Sequence, residues 1–168
     1  MLEQREADQL SLREVARAVG VSATAVYRHF PDKSALLDAL ATEGLRRLAE
    51  AQHAAAEAAG GGQAGFVATG AAYVRFALAN PALFRLTFGA TASRDILTTP
   101  ETVPDALAFL RANADAAAKR HGLAPKVVAV HAWAIAHGLA SLMLEGQVEK
   151  DDALIEQVIG LGAGNHGG

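Results

Sequence analysis

Between Leu10 and Leu40 the apolar residues recur with the spacing of helices. Leu12, Val15, Ala16 and Val19 fall at i, i+3, i+4 and i+7, one stripe along a first helix. Ser11 stands ahead of it with Glu14 three places on, an S-x-x-E capping box that fixes its start, and Gly20 ends it. Ser22 caps a second short helix, Ala23 to about His29, whose Val26 and Phe30 point back at the first stripe. Pro31-Asp32 stops that helix, and Asp32 caps a third that begins at Lys33. Two short helices joined by a glycine-containing turn make a helix-turn-helix, with the small Ala16 where the second helix crosses the first.

From Lys33 a long helix is expected to about Ala59, with Leu36, Leu37, Leu40, Leu45 and Leu48 near one face, and Gly60-Gly61-Gly62 breaks it. Gly60, Gly62 and Gly65 spell G-x-G-x-x-G, but no strand precedes them, so they read as an interhelical loop rather than a nucleotide cradle. A helix from Gln63 to Asn80 follows, and Asn80-Pro81 separates it from a short apolar helix, Ala82 to Phe88. Residues 90–103 read as a polar loop. Pro104 opens another helix that Gly122 closes, and Pro125 opens one that reaches Glu145. A last helix covers about Lys150 to Leu161 before a glycine-rich tail. No run alternates with period two. The pattern predicts an all-α fold, with a helix-turn-helix head over 1–40 and a larger helical domain over 41–168.

Residues 127–144 hold no Asp, Glu, Lys or Arg over eighteen positions, which touches the lower limit of a membrane span. His131, His137 and the weakly apolar Ala, Gly and Ser argue instead for a helix covered on all sides, with one face on the core and the other on a second subunit. With Leu154, Ile155, Val158, Ile159 and Leu161 of the last helix, it offers a homodimer surface built from about 125–145 and 150–161. No membrane is expected.

Composition narrows the chemistry. The 168 residues include no cysteine, so disulfides, thiolate metal sites and thiol nucleophiles are excluded. The N-terminus MLEQREADQ is polar and unlike a signal peptide, so a cytoplasmic location is expected. A net charge of −3 speaks against indiscriminate coating of nucleic acid, yet Ser11 to Leu37 carries Arg13, Arg17, Arg28 and Lys33 against Glu14 and Asp32, net +2. Six histidines are scattered without the spacing of a helical zinc site, and neither a G-x-S-x-G elbow nor a P-loop lysine is present. The carboxylates of Asp151-Asp152 read as solvated helix caps. No catalytic residue, metal or cofactor is assigned, and the chain is not expected to be an enzyme.

Two constellations remain. The outer face of the second helix carries Thr24, Ala25, Tyr27 and Arg28, residues suited to base edges and phosphates. In the larger domain Tyr73, Phe76, Phe84, Phe88, Phe109, Trp133, His137 and Met143 hold most of the bulk, and Trp133 and His137 share a helix face. They make either plain core or an apolar pocket with a polar handle for a small hydrophobic effector.

Gly20-Val21-Ser22, Tyr27-Arg28-His29-Phe30, Asp32-Lys33 and Leu36-Leu37 resemble the DNA-binding signature of TetR/AcrR-type transcriptional regulators. Trp133, His137 and Gly138, with FALANPALFRLTFG at 76–89, resemble the ligand-binding half of the subgroup named for its W-H-G residues. The resemblance implies a DNA-binding head, a ligand-binding and dimerisation domain, and a repressor released from a double-stranded operator by an effector. It implies that Thr24 and Ala25 face bases, that Tyr27, His29 and the Ser11 and Ser22 hydroxyls hold phosphates, and that Arg28 meets a guanine or phosphate. Lys33 would add its charge at a helix start. Two recognition helices of a homodimer must then sit about 34–36 Å apart. An earlier helix completes the head in this family, and here only Met1-Leu2-Glu3-Gln4 precedes a turn-like stretch, so a truncated first helix is expected. The alternative is a helical ligand-binding or interaction module that lost DNA binding with that helix.

Overall fold

The computed structural model of the chain describes Arg13, Ala16, Arg17, Gly20, residues 22–88, Leu110, Ala114, Asp115, Ala118, Lys119, residues 122–161 and the backbone of 162–164. Its helices are α1 (Ala23–His29), α2 (Lys33–Ala58), α3 (Gly62–Ala79), α4 (Pro81–Phe88), α5 (Pro125–Leu144) and α6 (Asp152–Gly164). Arg13, Ala16, Arg17, Leu110, Ala114, Asp115, Ala118 and Lys119 are helical as well, and no described residue lies in a strand. The fold is all-α, as the periodicity predicts. The Ser11–Glu14 box, the first four residues and the loop at 90–103 lie outside the described residues.

Packing divides the chain into two compact units, residues 1–44 with 80–93, and residues 45–79 with 94–168. In the first, Ala16, Val26 and Leu36 form the core, with Ala23, Phe30 and Leu40 against them. Gly20 takes φ +73°, the left-handed conformation that a Cβ penalises, and so ends the preceding turn of helix. Ser22 then caps α1 by accepting the Ala25 N–H at 3.1 Å, and Asp32 caps α2 by accepting that of Ala35 at 2.8 Å. Helices α2 and α4 cross closely because position 44 has no side chain: a Cβ on Gly44 would lie 2.5 Å from Thr87 Oγ1. The rings of Phe84 and Phe88 meet in the same unit, with centroids 5.1 Å apart.

In the second unit α3 packs on α5 and α6, and α5 packs on α6. Met143, Ile155 and Val74 are its most completely buried large side chains. Small residues set the spacing: a Cβ on Gly70 would lie 2.8 Å from Ile159 Cγ2, and one on Gly65 would lie 3.2 Å from the Ala56 carbonyl. The reversal between α2 and α3 is made by Gly60, Gly61 and Gly62, at φ +80°, +72° and +58°, and closed by Gly61 N–H donating to the Ala56 carbonyl at 2.9 Å.

Helix α5 has two unlike faces. Val128, Ala129, Ala136, Leu139, Ala140 and Met143 are buried, and Leu110, Ala114 and Ala118 pack by Val128 and Ala129. On the opposite side Val127, Val130 and Leu142 are 56%, 42% and 40% exposed, and Leu161 of α6 is 68% exposed. Among the described residues α5 is the one helix long and apolar enough to cross a membrane, but its buried face serves as core. The last helix departs from the expected 150–161. It begins at Asp152, where the Asp151 carboxylate accepts the Ala153 N–H at 3.0 Å, and it continues to Gly164. Glycine weakens a helix without forbidding it, so the expected tail is helical at its start.

Candidate nucleic-acid interface and effector site

On α1 the buried side is Val26, and Thr24, Tyr27, Arg28 and His29 are exposed. Residues 24, 27 and 28 stand at i, i+3 and i+4, so they share the outward face. Tyr27 is 48% exposed, far more than a ring packed under a helix would be. Ala25 is half-buried beside them, and Ser22, exposed, spends its hydroxyl oxygen on the Ala25 N–H. Arg13 and Arg17, one turn apart, are exposed too. Lys33 is half-buried at the start of α2. There the Asp32 carboxylate already occupies the Ala35 N–H, so Lys33 presents a point charge beside an acid rather than a vacant helix terminus. Ser11 lies outside the described residues.

The second constellation gathers on Tyr73, which is 5% exposed. Trp133 Nε1 donates to its hydroxyl at 3.1 Å, and the same hydroxyl lies 2.9 Å from His137 Nδ1. An indole N–H only donates, so the tyrosine oxygen accepts there, and the direction of its bond to His137 follows the imidazole tautomer. Burial pushes the Tyr73 phenol above its ordinary range and the His137 imidazole below its ordinary 6.5, so both are neutral at pH 7. The Trp133 and His137 rings meet nearly edge-on, with centroids 5.8 Å apart. His137 therefore bonds the Tyr73 hydroxyl of a neighbouring helix.

Phe76 and Met143 are buried core residues of the same unit. Phe84 and Phe88 belong to the first unit and pair with each other, and Phe109 lies outside the described residues. Among the described residues no cluster of His, Asp and Glu could hold a metal ion.

Two features escape the sequence reading. Arg75 donates through Nε and Nη2 to the Asp152 carboxylate at 2.7 and 2.9 Å, and through Nη2 to Glu156 at 2.6 Å. Asp152, solvent-exposed in the first turn of α6, is thus an ion-pair partner as well, and the guanidinium holds its carboxyl below the usual range. The other is Gln52, 9% exposed, whose Nε2 donates to the Thr69 carbonyl at 3.3 Å. Its Oε1 is buried without a hydrogen-bond partner. The signal was present: Leu48, Gln52 and Ala56 stand four apart, one amide inside an apolar stripe.

Both halves of the chain are similar to known proteins. Residues 1–40 match the family model described as bacterial regulatory proteins, tetR family, and residues 66–161 match that of the tetracyclin repressor-like C-terminal domain. Among solved structures, a protein of unknown function from Rhodococcus sp. RHA1 is similar at 32% identity and a TM-score of 0.67, over 98% of this chain and 87% of that one. A candidate regulatory protein, SCO4313, is similar at 27% identity and a TM-score of 0.63, over 95% of this chain and 87% of that one. A search of curated proteins finds no match.

Proposed function

The chain belongs to the tetR family of bacterial regulatory proteins, and we propose that it is a cytoplasmic one-component repressor that binds its operator as a homodimer and leaves it when a small, mainly apolar effector binds. The observation that carries this reading is the outward face of α1, where Thr24, Tyr27 and Arg28 stand exposed on a helix fixed by the Ser22 cap. Thr24 and Ala25 meet base edges, Tyr27 and His29 hold phosphates, Arg28 takes a guanine or a phosphate, and Lys33 adds long-range attraction.

The apolar side of α5, together with Leu161 of α6, supports dimerisation. Val127, Val130, Ala134 and Leu142 are exposed on that side, and a second copy related by a two-fold axis would cover them. Tyr73, Trp133 and His137 support the effector site, since they place hydrogen-bonding groups inside an otherwise apolar helical packing. Effector binding releases DNA only in so far as it prefers one of two states of the dimer.

A gel-shift titration with DNA from the chain's own promoter region tests the reading. Saturable binding that withstands excess unrelated DNA is the expected result. Absence of any selective shift at low salt would favour the module that has lost its DNA function.

A further inference from the structure

Among the described residues of the second unit, one buried side-chain polar atom has no hydrogen-bond partner. Gln52 lies on α2 among Leu48, Ala49 and Ala56, all buried. Its amide nitrogen is used on the Thr69 carbonyl, and its oxygen faces no donor. The alanines beside it have nothing to donate, and the Thr69 hydroxyl is spent on the Phe66 carbonyl at 2.7 Å. Exchanging Nε2 and Oε1 would set oxygen against the Thr69 carbonyl oxygen, so the amide is fixed the way it stands. Buried acceptors without donors are uncommon because each forfeits its bond to water, so one held in place calls for a physical reason.

We propose that Gln52 Oε1 accepts a hydrogen bond from the effector, and that the effector is an uncharged, mainly apolar molecule bearing a hydroxyl or N–H donor. This rests on the reading that the second unit takes a small molecule, and it adds the ligand's chemical class and the atom that recognises it. Charge is disfavoured by the surroundings: among the described residues of the second unit the buried side chains with polar groups are Gln52, Thr69 and Tyr73, none of them ionic at pH 7. A carboxylate or ammonium at Gln52 would lose its hydration with no counter-charge. An ether or hydrocarbon of the same shape would leave Oε1 as it is. A hydroxyl satisfies it. Thr69 and Tyr73 stand one turn apart on α3, so the partner of the Gln52 amide and the Tyr73–His137 pair lie on neighbouring turns of one helix. Gln52 also ties the ligand to α2, the helix that begins at Lys33.

Thermal unfolding of the full chain tests this with hexanol, octanol and cyclohexylmethanol, each beside its methyl ether. The alcohols should raise the midpoint by about 2 °C or more above the matched ethers. In Gln52→Met that difference should vanish, and the unliganded variant should melt no lower than the native chain, because the orphaned oxygen is gone. Should Gln52→Met fold poorly, Gln52→Leu replaces it. In the native chain the Gln52 side-chain amide resonances should move with octanol and not with its ether. Equal stabilisation by alcohol and ether, unchanged in the variants, would overturn the role of Gln52 and leave the ligand-binding reading standing, with a buried water as the donor. No stabilisation by any of the compounds, in native or variant chains, would overturn the ligand-binding reading and this inference with it.

Discussion

The hydroxyl of Tyr73 stands 2.9 Å from Nδ1 of His137 and joins two helices by one proton. Trp133 donates to the same oxygen, so Tyr73→Phe removes the hydroxyl on which both partners depend. We expect a loss of about 1–3 kcal/mol of stability, the range for depriving buried polar groups of a partner. Trp133 is the single tryptophan, so its emission should shift in the same variant. Urea denaturation followed by fluorescence reads both, and an unchanged midpoint and spectrum would show that the bond contributes nothing.

The same pair sets a pH dependence. Burial holds His137 below its ordinary value of 6.5, so as pH falls the unfolded chain takes a proton there before the folded chain does. This contribution is complete above about pH 6.5 and is lost as pH falls through the lower, folded value. Stability should therefore fall as the pH is lowered through and below about 6.5. The drop should be smaller in His137→Gln, whose amide oxygen can still accept but cannot titrate. Equal drops in both proteins would assign the effect to other groups.

Gly70→Ala sets two magnitudes against each other. Alanine gains about 1 kcal/mol of helix propensity over glycine, while forcing a methyl into packed atoms costs about 1–3 kcal/mol. With Ile159 Cγ2 at 2.8 Å from the new carbon, the clash should prevail and the melting point should fall. Ile159→Ala in the same chain should restore part of the loss, and purely additive effects of the two changes would refute the contact.

Gly138→Ala separates the folding of one chain from its assembly. No atom lies within 4 Å of a Cβ there, so the isolated chain should gain up to about 1 kcal/mol. Gly138 shares its side of α5 with Val127, Ala134 and Leu142, the surface assigned to the dimer. A methyl there should raise the dimer dissociation constant measured by sedimentation. An unchanged constant would move the dimer contact elsewhere.

Tyr27→Ala, Arg28→Ala and Lys33→Ala should each weaken operator binding about tenfold or more, with melting points nearly unchanged because these side chains are not core. The Lys33 variant should also flatten the salt dependence by about one phosphate contact. Three variants that bind like the native chain would remove α1 from the interface.

The pattern of residues foretold what is local. Ser22 and Asp32 cap the helices assigned to them, Gly20 and the triplet at 60–62 turn where expected, and Ala16 is buried where a crossing needs a small residue. These depend on neighbours a few positions away. Helical period also placed Trp133 and His137 on one face, but it cannot say which faces meet. Tyr73 and His137 are 64 positions apart, and Arg75 and Asp152 are 77, so both bonds become visible only once helices are packed. Grouping aromatics by bulk likewise names Phe84 and Phe88 without showing that their rings meet. Gln52 does not stand out in the sequence because an amide is ordinarily a surface group, and its unanswered oxygen becomes visible with its burial.

Three consecutive residues at Gly60, Gly61 and Gly62 hold left-handed backbone angles, which L-amino acids resist by about 1–2 kcal/mol each. For residues of opposite chirality that preference inverts. A semisynthetic chain with D-alanine at position 61 should restrict the unfolded ensemble without straining the bend, and so hold more firmly than the natural one. The helix reversal at this point is, in effect, a short mirror-image segment that ribosomal synthesis can write only with its one achiral monomer.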